Sequence, residues 1–291
     1  MNGFLLVDKS GGMTSHDVVA KIRRRFATKK VGHAGTLDPM ATGVLVIGIG
    51  DATRLLQYVV EGKKSYDAVI SLGAATITDD SQGDVVFVGD PERLAAITDD
   101  AIRLCLATMI GEVSQRPSTV SAIKVGGKTA HQRVRAGEDF ELPARLVVIE
   151  SIDISEITRS VSAIDVSISV RCSAGTYIRA IARDLGHELG VGGHLIALRR
   201  TEVAPFDISD CLPWELAAPI ETAVGIGKIL PTRTLDQAEL HEISFGRLIG
   251  PNESNGITAA LSPAGSFVAL LENRELAGNA QAAPTLVSMK E

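Results

Sequence analysis

The sequence predicts an α+β protein built on a mixed, largely antiparallel sheet, with a small β-rich unit at its C-terminal end. Segments that alternate or cluster β-branched residues outnumber helical ones and mostly follow one another without an intervening helix, which disfavours a parallel βαβ arrangement. The 291 residues, 45% hydrophobic and 22% charged, suffice for about two domains with a substantial core.

Taken in order, Gly3–Asp8 reads as a short buried strand. Thr14-Ser15-His16-Asp17 carries an N-cap with an acidic residue three positions on, and predicts a basic helix to about Ala27. Thr42–Ile49, rich in β-branched residues and bounded by glycine, predicts a strand, as does the alternating Ser65–Leu72. Pro91 suits the first turn of a helix over Glu92–Met109. Leu146–Ile157 and Val161–Cys172 predict paired strands. The spacing of Ile178, Ile181, Leu185 and Leu189 predicts a helix over Tyr177–Leu189. The Ala-rich stretch Leu212–Gly227 reads as helical, and with Pro231 after it the boundary falls near residue 230, giving domains of 1–230 and 231–291.

The N-terminus has no basic n-region and no apolar run approaches the roughly 20 residues that span a bilayer. Cys105, Cys172 and Cys211 are odd in number and far apart, so neither a disulfide framework nor a zinc site is expected. A cytoplasmic protein is expected, with no membrane partner. Net charge is −6 but unevenly spread. Residues 1–60 hold eight basic and four acidic side chains, six of the basic ones within Lys21–Lys30. Residues 114–147 hold six basic and three acidic, and residues 204–291 five and eleven. Such a positive front with an acidic remainder suits a phosphate backbone, while a solvated helix face explains the basic run as well.

The densest chemistry lies in Val31–Leu45, where Gly32-His33-Ala34-Gly35-Thr36-Leu37-Asp38-Pro39-Met40-Ala41-Thr42-Gly43 runs into an apolar strand. Pro39 biases Asp38 towards an extended backbone, at a strand mouth able to display a side chain rigidly. Read alone, the segment also fits an ordinary turn.

The motif G-H-x-G-x-L-D-P-x-A-x-G-x-L closely resembles that of the TruB family, bacterial tRNA pseudouridine-55 synthases. Gly3–Lys9 with Gly12-Met13-Thr14-Ser15, Tyr66 after Lys63-Lys64-Ser65, Cys172-Ser173-Ala174-Gly175-Thr176-Tyr177-Ile178-Arg179, and His194–Arg200 resemble further blocks of the family in the same order, covering about residues 3–205. Ser10 stands where the family usually has Pro, and Ile77 where Asp is common, with Asp80 keeping the second Asp. The resemblance implies isomerisation of a T-loop uridine of tRNA, with Asp38 as nucleophile, Arg179 as its partner, and Tyr66 and Tyr177 stacking the flipped base. Tyr66 also becomes a candidate for handling the C5 proton. It further implies Leu198 in an apolar floor, His33 as the wedge that fills the vacated stack, and Lys9 and Asp80 among the substrate-binding residues. No metal or other cofactor is implied. The partner implied is the tRNA T-arm, met by a monomer without an obligatory protein partner.

Residues 114–147 resemble the family's RNA-clamping insertion, with Val120 and His131 where Tyr is expected. This insertion disfavours a guide-dependent synthase, one alternative; the other is a tRNA-folding factor with incidental catalysis. Gly126-Gly127-Lys128-Thr129 ends like a phosphate-binding loop, but its first glycine would fall at Ala122. Leu235–Gly246 and Ser266–Leu271 resemble parts of a PUA-like domain, although this region is acidic.

Overall fold

Strand Thr42–Ile49, buried along almost its whole length, organises the first half of the chain. Gly3–Lys9 runs antiparallel along one edge. The other edge is shared: Val31–Ala34 pairs antiparallel with the C-terminal half, while Arg199 and Arg200 pair parallel with Thr42 and Gly43. The connecting loop, residues 35–41, therefore emerges where two partner strands diverge. The computed structural model in which this is seen describes residues 2–118, 142–276 and 278–288, and the backbone alone of 124–125 and 128–129. Val120, His131 and the Gly126-Gly127 pair lie outside the described residues.

The main sheet continues from Thr42–Ile49 through Gly193–Val203, Lys64–Leu72, Ile164–Cys172 and Arg145–Arg159 to Gly111–Gln115. Each of these later neighbours is antiparallel. Gly193–Val203 is thus a central strand that the sequence reading missed. Helix Ser15–Arg25 opens with the expected capping box between Thr14 and Asp17. Helix Ile178–Glu188 lays Ile178, Ile181 and Leu185 on a core containing Ile70, Val166 and Ile168.

Two expected helices differ. Residues 91–109 form two, Pro91–Ala96 and Asp99–Thr108, because Ile97 is extended and Thr98 caps the second by accepting from Ala101 N at 3.2 Å. Of Leu212–Gly227 only Thr222–Gly227 is an α-helix. The preceding stretch, which contains Pro213 and Pro219, follows the free edge of Gly3–Lys9 instead. Leu212 exchanges hydrogen bonds with Leu6 and Asp8, and Ile220 with Phe4. An edge that would otherwise expose unpaired backbone groups is thereby covered.

A second sheet comprises Thr232–Thr234, Thr258–Leu261, Phe267–Leu276 and Asn279–Val287, with helix Gln237–Ser244 beside it. It shares a core with the first: Phe4, Leu6, Val44, Val46 and Phe206 cluster with Ala259, Leu270 and Leu286. Because Leu5 and Val7 face the other core, the first strand is apolar on both faces. Among the described residues no helix is long and apolar enough to cross a membrane.

Candidate active site

The loop after Val31–Ala34 turns at Gly35, whose φ of +81° is left-handed. Each step beyond is fastened. Ser15 Oγ accepts from Leu37 N at 2.9 Å and donates to Leu37 O at 3.2 Å. Asp38 O accepts from Ala41 N at 3.1 Å, closing a turn with Pro39 at its second position. Lys9, 0% exposed, lies beneath and donates to the carbonyls of Ser10, Met13 and Pro39 at 3.0, 2.7 and 3.4 Å. Burial pushes the Lys9 ammonium down to about 8, with Asp38 pulling the other way.

Arg179, only 6% exposed, meets the Asp38 carboxylate side-on, with Nε 3.0 Å from Oδ2 and Nη2 3.2 Å from Oδ1. Its Nη1 donates to Thr78 O at 2.8 Å and stands 3.4 Å from Asp80 Oδ2. The planar guanidinium can grip both oxygens of one carboxylate while holding a second. Burial nevertheless pushes the Asp38 carboxyl above its usual range; Arg179 opposes this most strongly and Asp80 adds to the rise. The result is a fixed, half-exposed carboxylate, hydrogen-bonded on one side and open on the other.

Asp38 opens onto a cleft of about 360 Å³, lined also by Tyr66, Tyr177, Arg179, Leu198 and Arg200. Tyr66 comes from Lys64–Leu72 and Leu198 from the adjoining central strand. Tyr177 is set by Gln115, which accepts from its N at 2.7 Å and donates to its O at 3.0 Å. Burial pushes both phenols above their usual range, with Arg200 opposing at Tyr66 and Arg145 at Tyr177. Two aromatic side chains, an apolar floor and one fixed carboxylate can hold a flat ring and attack it or its attached sugar.

Of the eight residues singled out in the sequence, five share this cleft: Asp38, Tyr66, Tyr177, Arg179 and Leu198. Lys9 and Asp80, expected to bind substrate, are buried against protein groups. Asp80 is 3% exposed and accepts from Thr78 Oγ1 and Gln82 N. Both thus lie outside the cleft lining, against groups that surround the carboxylate. His33 also lies outside the cleft, in an edge-on contact with His16 at 5.3 Å between ring centroids. Burial, then the nearness of His16, pushes the His33 imidazole down to about 4, so it is neutral at physiological pH. His16 makes this contact while Thr14 and Asp17 do the capping.

Arg200 escaped the sequence reading as a site residue. It is 2% exposed, donates to Val44 O at 2.8 Å and Gly35 O at 3.0 Å, and lines the cleft with Tyr66, whose phenol it draws down against burial. The signal was available: Gly35 and Gly43 both leave space that Arg200 fills. A larger cleft of about 1010 Å³, near Thr222, Phe245 and Phe267, has Glu221 but no basic side chain in its lining.

Residues 23–178 match the family model for the N-terminal domain of TruB family pseudouridylate synthases, more than half of the chain. The chain belongs to the TruB family. Residues 179–221 and 230–284 match the models for the tRNA pseudouridylate synthase B C-terminal domain and for the C-terminal part of tRNA pseudouridine synthase II. Among curated TruB relatives, tRNA pseudouridine synthase B of Corynebacterium diphtheriae is 49% identical over 278 residues, covering 94% of this chain and 93% of that one. That of Arthrobacter sp. strain FB24 is 49% identical over 286 residues, covering 93% and 92%. The fold is shared with an H/ACA RNP bound to a substrate RNA containing 2′-deoxyuridine, at TM-score 0.70 and 23% identity over 99% of this chain and 85% of that one. A Cbf5-Nop10-Gar1 complex gives TM-score 0.69 and 25% identity over 98% and 84%.

Proposed function

We propose that this TruB protein converts the T-loop uridine of tRNA, position 55, to pseudouridine, acting as a cytoplasmic monomer without guide RNA. The observation that carries the reading is the side-on grip of Arg179 on Asp38 at the edge of a ring-sized cleft. The curated relatives named tRNA pseudouridine synthase B support the substrate class. Free thiols at Cys105, Cys172 and Cys211 suit a reducing compartment.

The reaction breaks the N1–C1′ bond, rotates the uracil and forms a C5–C1′ bond. The proton leaves C5 and one is gained at N1, so no electrons or atoms enter or leave. Asp38 supplies the nucleophilic carboxylate, held ionised and aimed by Arg179. Tyr66 and Tyr177 stack the extruded base, Leu198 closes the apolar floor, and Tyr66 stands where the C5 proton departs. Extrusion costs a few kcal/mol of stacking, which His33, uncharged and projecting from the neighbouring strand, offsets by entering the vacated stack.

The test is to incubate pure protein with an unmodified tRNA transcript, without guide RNA, and map pseudouridine. Product at uridine 55 alone is expected. Product only after adding a guide RNA, or tight binding with no product, would point to the guide-dependent or the folding-factor alternative.

A further inference from the structure

Behind the Arg179–Asp38 pair lies a second ion pair, between Asp79 and Arg183. Arg183 follows Arg179 by one turn on helix Ile178–Glu188, so the two side chains leave the same face. They address consecutive acids of one turn: Arg179 Nη1 lies 3.4 Å from Asp80 Oδ2, and Arg183 Nη1 lies 3.4 Å from Asp79 Oδ2. Asp79 adopts a left-handed backbone, φ +59°, uncommon for a residue with a side chain. Its carbonyl accepts from Leu195 N at 3.0 Å, and Ser81 N donates to Leu195 O at 2.8 Å, pinning the turn to the central strand.

The atom that matters most here is the Thr78 carbonyl oxygen. It accepts from Arg179 Nη1 at 2.8 Å and from Ser118 Oγ at 3.2 Å. Arg183 Nη2 donates to Arg116 O at 2.9 Å, so the chain at residues 116–118 is tied to the turn from both sides. Burial pushes the Asp79 carboxyl upward, with Arg183 the strongest opposing influence.

We infer that Asp79 and Arg183 are positioning residues for the reaction, fixing the Thr78–Asp80 turn so that Arg179 presents Asp38 in its reactive direction. The inference rests on the function proposed above. A guanidinium whose second anchor drifts loses its angle on the first carboxylate, and misplacement on the order of 1 Å at a reacting group lowers rates about a hundredfold. Ser118, sharing the Thr78 carbonyl, belongs to the same assembly.

Single-turnover pseudouridine formation by Asp79→Asn, Arg183→Gln and the double variant tests this, with wild type and Asp38→Asn alongside. Each single variant should lose about tenfold in rate while tRNA affinity and melting temperature hold, and the double should lose no more than either single. Asp79→Gly separates charge from backbone strain. It relieves the left-handed φ but removes the carboxylate, and should be as slow as Asp79→Asn. A wild-type rate for Asp79→Gly, or losses that multiply in the double variant, would overturn the inference. Should Asp79→Asn misfold, Arg183→Gln and Ser118→Ala probe the same turn from partly exposed and single-bond positions. Unchanged rates in both would overturn the inference equally. No product from wild type would instead sink the proposed function.

Discussion

Gly43 and Arg200 meet where no side chain fits between them. A Cβ on Gly43 would stand 2.1 Å from the Arg200 carbonyl oxygen, and Gly43 itself has φ +102°. This contact is half of the short parallel joint between Thr42–Ile49 and the central strand, and the Asp38 loop ends at it. Gly43→Ala should therefore destabilise the protein by more than about 2 kcal/mol and slow turnover of the folded fraction. Urea unfolding with a parallel rate measurement checks this. A loss below about 0.5 kcal/mol would show that the strands separate cheaply.

The raised Asp38 carboxyl predicts how activity depends on pH. As the proposed nucleophile, Asp38 must be ionised, so the acid limb of the rate profile should lie above the ordinary aspartate range. Since Arg179 opposes the rise, Arg179→Met should move that limb higher still. Arg179→Lys keeps the charge but loses the two-bond grip, and should lower turnover on the order of a hundredfold with little change in the limb. A limb that ignores Arg179→Met would remove Asp38 as the titrating group.

Stability carries the same sign. Between the unfolded and the raised folded value, the folded state holds more protons than the unfolded one, so Asp38 makes stability fall as pH rises through that window. Asp38→Asn should accordingly abolish turnover, keep tRNA affinity within about threefold, and melt at or above the wild-type temperature near neutral pH. Measurable product from this variant would disprove the assignment.

Lys9 behaves oppositely. With its ammonium pushed down to about 8 in the fold, the unfolded chain holds more protons from there up to the ordinary lysine value of 10.5. The contribution of Lys9 to stability should increase as pH rises across that window. Lys9→Met removes the donors under Ser10, Met13 and Pro39, and should slow turnover about tenfold with KM unchanged. The stability gap between wild type and variant, measured by denaturant at pH 7.5 and pH 10, checks the linkage. A gap that shrinks at high pH would contradict it.

Local rules made much of this legible in advance. The capping box at Thr14 and the alternation of Ser65–Leu72 depend on near neighbours, and Asp38-Pro39 announces its turn. What escaped depends on distance along the chain. His194–Arg200 was read as a motif, and the register shift between Leu195 and Ala197 breaks the alternation that marks a strand. Gly35 and Gly43 were visible as glycines, but that Arg200, some 160 residues later, fills the space beside them is set by the fold. The failed helix at Leu212 had its prolines in plain view, but the edge that it covers was not. The break at Ile97-Thr98 was readable: Thr followed by two acids is a helix start.

The basic helix divides in the same way. Arg25 donates to the carbonyls of Trp214 and Ala217 at 2.8 and 2.6 Å, and Arg23 to Val31 O at 3.0 Å. These two arginines therefore fasten the fold. Arg24→Gln should weaken tRNA binding and lower the salt slope by about one contact, whereas Arg25→Gln should cost more stability than affinity. The reverse ranking, read from binding titrations at several salt concentrations and from melting curves, would undo this division.

Leu270 and Leu286 complete a core begun by Phe4 and Leu6. During synthesis the first strand leaves the ribosome more than 260 residues before the side chains that seal its outer face. Ile220, which covers its edge near Phe4, also arrives late. The strand carrying Lys9, on which the Asp38 loop rests, must therefore wait, apolar on both faces, until the chain has been made as far as Leu270 and Leu286. Nascent chains stalled short of residue 286 should be open to proteases at the N-terminus and inactive on tRNA, however complete their catalytic motifs.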